Sequence, residues 1–151
     1  MEVVVPSRLV NLLLGFLLAA GSRAAVAQRS DSLPPAVATA FSQFYPGAKI
    51  LNVSRERRDG KVVYEIESQD GAARRDLIYD LEGHALEIED IIPADSVPAA
   101  VRAALERDMK GATLVGAERV TTGTVVVYEV QARKGGRSRF LTYDPNGVRK
   151  E

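Results

Sequence analysis

Cysteine and tryptophan are absent from the chain, and histidine occurs once. Without Cys there can be no disulfide scaffold, no thiol nucleophile, no thiolate zinc site and no lipid attached through a lipobox. A single His removes most nucleophile–His–acid triads and multi-His metal centres, which leaves carboxylates as the one plausible source of enzymatic chemistry. Charge of one sign is missing too. Over 151 residues, 20 Lys and Arg face 20 Asp and Glu, and the sequence pI is about 6.6. No overall basic field draws in nucleic acid or an anionic membrane surface.

Long apolar runs are equally scarce. The one candidate, Leu9 to Ala20 after Arg8, is too short to span a bilayer but suits the hydrophobic stretch of a signal peptide. Ala25 and Ala27 follow as an Ala-x-Ala cleavage pattern, so residues 1–27 are expected to leave on export, with no stable membrane insertion afterwards. A retained N-terminal anchor is the alternative, because Glu2 weakens the positive start. Cleavage takes Arg8, Arg23 and Glu2 from the totals of 20 and 20, so the mature chain stays near neutral. The expected location is periplasmic or extracellular.

What is present is a repeat. Shifting the chain against itself by about 64 residues aligns Asp31 to Glu87 with Asp95 to Glu151, without a gap and with about 20 of about 57 positions identical. Val62-Val63-Tyr64-Glu65 meets Val126-Val127-Tyr128-Glu129, and Leu77, Tyr79, Asp80 and Gly83 meet Leu141, Tyr143, Asp144 and Gly147. The expected organisation is residues 28–92 and 93–151 as two copies of one unit, packed into one compact body because Ile91-Ile92-Pro93-Ala94 is too short and too apolar for a loose linker.

Each copy predicts a helix and then four strands, an α+β class with α-β-β-β-β repeated. Ser32 and Ser96 suit helix N-caps, each with Pro in the first turn, and Asp31 and Asp95 favour the positive end of the helix dipole. Leu33, Val37, Ala40, Phe41 and Phe44 recur at helical spacing, as do Val97, Val101, Ala104, Leu105 and Met109, and Gly47 and Gly111 supply stops. The period then changes to two. Strands are expected near 48–57, 61–68, 73–80, 84–90, 112–121, 124–133, 137–144 and 148–150, joined by short turns that force antiparallel neighbours. The helices should cover one face of the sheet, leaving the other wetter and more charged.

These residues resemble a known family. Leu33-Pro34-x-x-Val37, Phe41, Tyr45-Pro46-Gly47-Ala48-Lys49-Ile50, Tyr64-Glu65-Ile66, Tyr79-Asp80 and Gly83 together look like the PepSY-like family related to β-lactamase inhibitory protein. The second copy departs at Met109-Lys110, in place of Tyr-Pro, and at Thr113, in place of Lys49. The resemblance implies a helix-plus-antiparallel-sheet unit in tandem and an exported, non-enzymatic protein. It also implies binding through the open sheet face and adjoining loops, as in the relative that inhibits an enzyme. The matching residues are frame positions, so no inhibitory residue carries over.

Tyr64 with Tyr128, and Tyr79 with Tyr143, could anchor a partner or pack under the helices; for Tyr64 and Tyr128, alternation with Val62, Ile66, Val126 and Val130 favours the core. The opposite strand face holds Val63, Glu65, Glu67, Ile78, Val127, Glu129, Gln131, Phe140 and Thr142, a mixture of apolar and charged groups that suits either a protein partner or a solvated surface. From this set Val63, Glu65, Glu67, Val127, Glu129, Gln131 and Phe140 are the expected partner contacts. Phe140 is the most informative, since its counterpart is Asp76.

Other clusters have plainer readings. Asp80-Leu81-Glu82-Gly83 and Asp144-Pro145-Asn146-Gly147 lack the spacing of a calcium loop and read as turns. Glu87, Glu89, Asp90 and Asp95 could form a carboxylate pair or a cation site, although strand alternation makes Glu87 and Glu89 one wet face. His84 has no second ligand beside it. Arg55-Glu56-Arg57-Arg58 and Arg133-Lys134 with Arg137 and Arg139 gather basic charge near hairpin tips, for solubility, edge protection or an acidic partner. The functional expectation is an exported, non-enzymatic binding protein without cofactor, metal or nucleic acid, one that inhibits or modulates an envelope or secreted enzyme. The alternative is an extracytoplasmic sensor or a domain that captures a small ligand or ion.

Overall fold

A computed structural model describes residues 32–150. The expected signal segment lies outside the described residues, as does Asp31. The described residues cluster as one compact unit.

Among the described residues helix α1, Pro35–Phe44, comes first and is followed by strands β1 Lys49–Arg58, β2 Lys61–Asp70, β3 Ala73–Tyr79 and β4 Ala85–Ile91. A 3-10 turn, Ala94–Ser96, leads into helix α2, Ala99–Asp108, and then into β5 Thr113–Thr122, β6 Val125–Lys134, β7 Arg137–Tyr143 and β8 Arg149–Lys150. The eight strands form a single antiparallel sheet in chain order. The α+β class expected from the period change is what the chain adopts, and the β4–β5 pairing from Ile88↔Thr121 to Ile91↔Glu118 carries the sheet across the joining segment.

Neither Ser32 nor Ser96 caps a helix. Pro34 and Pro98 hold the N-cap positions with no side-chain cap. The reason is local: a residue that precedes proline is pushed out of the α region, so Pro34 before Pro35 stays extended (φ −56°, ψ 144°), and Val97 before Pro98 does the same (φ −69°, ψ 130°). Ser96 instead closes the 3-10 turn through its N–H to the Pro93 carbonyl. Phe44, expected on the apolar stripe, is 71% exposed because the helix ends there, one residue before the chain turns away at Tyr45.

Two apolar clusters hold the helices to one side of the sheet. Val37 and Phe41 of α1 pack with Val53, Tyr64, Ile66, Leu77 and Tyr79, while Val101, Ala104 and Leu105 of α2 pack with Ala117, Val130, Ala132, Leu141 and Tyr143. Tyr79 and Tyr143 are fully buried, so the four recurrent tyrosines, Tyr64 and Tyr128 included, belong to the core and its margin.

The Tyr-Asp-x-x-Gly turns dock these helices. A Cβ on Gly83 would stand 2.7 Å from the Ala36 carbonyl oxygen, and one on Gly147 2.5 Å from that of Ala100. Glycine is required twice over, since both positions also have φ near +80°. Asp80 Oδ1 accepts from the Glu82 and His84 amides and Asp144 Oδ1 from those of Asn146 and Val148, so these carboxylates brace turns as expected.

Candidate functional site: the sheet face opposite the helices

Strand alternation sends a second set of side chains away from the helices. Across β2, β3 and β4 the register places Glu67 opposite Asp76 and Asp76 opposite Glu89, with Glu65 opposite Ile78 and Ile78 opposite Glu87 in the adjoining row. Across β5, β6 and β7, Glu118 faces Glu129, Glu129 faces Thr142, Val120 faces Val127, and Gln131 faces Phe140. Like charges directly opposite one another in a sheet repel, and this face sets them side by side repeatedly.

The face is charged, as expected, but its centre is dry. Val63, Ile78, Val120 and Val127 are buried to between 1% and 4% exposure, although none belongs to either helix-side cluster. Part of the cover is the long side chains beside them. Arg58 on β1 donates from Nη1 to Glu87 Oε1 on β4 at 2.9 Å, so its side chain lies over β2 and β3, a reach that requires the sheet to curl toward this side. Its Nε stands 3.6 Å from Glu56 Oε2, and Thr122 Oγ1 on β5 donates to Glu87 Oε2 at 3.2 Å. The other close partners are neutral: Asn52 Nδ2 donates to Glu67 Oε1 at 2.9 Å and Ser54 Oγ to Glu65 Oε2 at 3.1 Å.

Burial and crowding raise the acids' affinity for protons. Burial, reinforced by the charges of Glu87 and Glu118, takes Glu89 to about 9. Burial and Glu56 take Glu65 to about 7, while burial with Glu118 and Glu87 takes Glu129 to about 7. Asp76 rises to about 6 through burial and Glu67, and Glu118 rises through burial and Asp76. Chemically, carboxyls so raised keep their protons to higher pH than free ones, and their oxygens can accept hydrogen bonds.

Of the residues singled out from sequence, Val63 and Val127 are spent inside the dry centre. Glu65, Glu67, Glu129 and Gln131 are half-buried on the face, and Phe140 is 42% exposed at its β7 end. Asp76, Glu89 and Glu118 complete the carboxylate array and were not among the expected residues of the face; the strand period alone places them here, once β3, β4 and β5 are read as neighbours. Of the four acids Glu87, Glu89, Asp90 and Asp95, only the first two come together. Glu87 and Glu89 lie on this face, Asp90 points to the helix side, where it meets Arg75 and Arg119, and Asp95 sits in the 3-10 turn. Among the described residues no three His, Asp or Glu side chains are arranged to hold a metal ion, and no helix is long and apolar enough to cross a membrane. His84 is exposed, with Nδ1 2.9 Å from Asp80 Oδ2.

The chain belongs to the family described as "Putative beta-lactamase-inhibitor-like, PepSY-like", whose model matches residues 23–87 and 64–148. No curated protein matches it significantly. Among solved structures, one described as "putative periplasmic proteins" from Bacteroides eggerthii superposes with a TM-score of 0.65 at 15% identity, over 80% of this chain and 88% of that one. A BLIP-like protein from Bacteroides fragilis gives 0.62 at 18% identity, over 80% and 86%. At such identities the shared property is the fold.

Proposed function

We propose that this is an exported, non-enzymatic binding protein, built from two copies of one unit at 28–92 and 93–151, that captures a protein partner on the face opposite the helices and the adjoining hairpin loops. The partner fitting this reading is an envelope or secreted enzyme that is inhibited or modulated on capture. The observation that carries the reading is the array Glu65, Asp76, Glu89, Glu118 and Glu129. These carboxyls are half-buried and hold raised proton affinities on a face with Phe140 exposed at its edge. A partner that supplies donors to the acids and a pocket for the ring completes interactions that the chain leaves unfinished. Family membership supports the binding role, the Leu9–Ala20 run and Ala25-x-Ala27 pattern support export, and the periplasmic description of one structural neighbour agrees with that location.

The test is a pulldown from native envelope extract with residues 28–151. Glu129→Lys and Phe140→Ala should each reduce recovery of the captured protein by about tenfold, the scale of losing one well-packed or charged contact, while the melting temperature stays within a few degrees. Full retention by the doubly substituted protein removes this face as the binding surface.

A further inference from the structure

The β4–β5 pairing is the seam between the two halves of the sheet, and it is short. Four register pairs, Ile88↔Thr121 to Ile91↔Glu118, join the strands, against nine in β1–β2 and nine in β5–β6. Among the described residues no apolar cluster spans it on the helix side: the one under α1 draws on residues up to Ile88, and the one under α2 on residues from Ile92 onward. Single side-chain ties cross it instead. Arg119 donates to Asp90 at 2.7 Å on the helix side, and Thr122 donates to Glu87 at 3.2 Å on the far side.

Acids crowd the far side of this seam. Glu89 on β4 faces Val120 on β5 and lies diagonal to Glu118, which faces Glu129 on β6. From β3, Asp76 faces Glu89, and Glu67 on β2 stands behind it. Glu87 shares the strand face with Glu89, while Glu65 on β2 has Glu56 of β1 beside it. The cations acting on the array are Arg58 from β1, paired with Glu87 and Glu56, and Arg74 from β3, whose charge acts on Asp76. The dry centre belongs to both halves: Val63 and Ile78 come from one, Val120 and Val127 from the other.

We infer that the β4–β5 seam is a proton-controlled hinge: with its acids neutral the far face stays bent over the dry centre, and their ionisation flattens the sheet on that side. Ionised carboxylates repel one another and demand water, and both needs are met only when Glu89, Glu118 and Glu129 move apart. Their raised proton affinities in the bent form carry the same meaning, because a form that binds protons more tightly gives way as pH rises. Asp90, held ionised between Arg75 and Arg119, keeps the helix side pinned throughout. The bearing on capture rests on the reading proposed above: flattening offers Val63, Ile78, Val120 and Val127 to the partner.

Because the chain lacks Cys, introduced pairs can carry nitroxide labels without competing thiols. Gln43→Cys on α1 with Ala103→Cys on α2 spans the seam, and Gln43→Cys with Lys61→Cys stays within one half; all three positions are exposed. The helices lie on the convex side, so flattening brings them together. Pulsed electron paramagnetic resonance should show the α1–α2 distance shortening from about pH 5 to about pH 9, the open-to-bent ratio rising up to about tenfold per pH unit for each proton released, while the distance within one half stays constant. Glu89→Gln combined with Glu118→Gln should hold the bent distance across the range. Thr122→Val, which cuts the tie to Glu87, should move opening to lower pH. A distance that ignores pH overturns the hinge, as does equal shortening in the Gln pair. So does a change within one half in step with the first, since that is unfolding. No partner is present, so failure here leaves capture standing, and a failed pulldown leaves the hinge standing.

Discussion

Glu89 and Asp90 are neighbours on β4, and the pleat sends them to opposite sides of one sheet. Asp90 meets two arginines, accepting from Arg75 Nε at 3.0 Å and from Arg119 Nη2 at 2.7 Å. Its burial would push the carboxyl up, but those charged hydrogen bonds outweigh it and hold the group below its ordinary 3.8. Glu89 faces Asp76 and Val120, close to Glu87 and Glu118, and rises to about 9. The helix side neutralises Asp90 with cations from the flanking strands, whereas on the far side the Arg58 cation goes to Glu87 and burial leaves Glu89 to hold a proton. One surface is finished internally, while the other retains polar capacity that a second molecule can use.

The comparison breaks most visibly if the far face proves to be ordinary wet surface. Leu77 and Ile78 are adjacent on β3, point to opposite sides, and are both almost completely buried. Leu77→Ala should lower the unfolding free energy by about 2–5 kcal/mol, and Ile78→Ala should fall in the same range, because each leaves a cavity in a packed region. Denaturant melts of the two variants read this directly. A loss below about 1 kcal/mol for Ile78→Ala would mean that the carboxylate side has no packed centre of its own.

Most of the frame is legible in the sequence because it is written in local chemistry. All eight strands fall within about two residues of their expected limits, since β-branched alternation and turn pairs such as Asp59-Gly60 act over a few positions. The motif Tyr79-Asp80-x-x-Gly83 is visible as a pattern, but its reason, a glycine pressed against the Ala36 carbonyl, needs the helix docked upon it. The site is less legible. Alternation places Glu65 and Glu129 on the far face, yet the near-complete burial of Val63 and Val127, and the reach of Arg58 from β1 to Glu87 on β4, depend on how distant strands curl together. A cleft lined by Asp108, Met109, Lys134, Arg137 and Arg139 likewise joins residues about thirty positions apart, beyond any local period.

A smaller and sharper test is Asp90→Asn, which keeps the shape and removes the charge between Arg75 and Arg119. The expected loss is about 1–3 kcal/mol at neutral pH, the scale of hydrogen bonds to a charged group. A depressed carboxyl contributes stability above its unfolded-state value, and that contribution disappears as pH falls through the lower folded-state value. The variant and the parent should therefore converge in thermal melts taken well below pH 3.8. A gap that persists there would assign the effect to packing instead of charge.

Glu89→Gln should act in the opposite direction, with a gain over the parent that grows toward alkaline pH by at most about 1.4 kcal/mol per pH unit. A carboxyl whose folded-state value is raised from 4.5 to about 9 favours folding fully only below 4.5, and the advantage drains away as pH rises toward 9 while the unfolded chain stays ionised. Glutamine cannot ionise, so the variant should match the parent near pH 4.5 and become the more stable of the two near pH 9. Melting temperatures across that window measure both ends. If the substitution destabilises equally at every pH, Glu89 is held by specific hydrogen bonds and not by a shared proton, and the contrast with Asp90 loses its chemical basis.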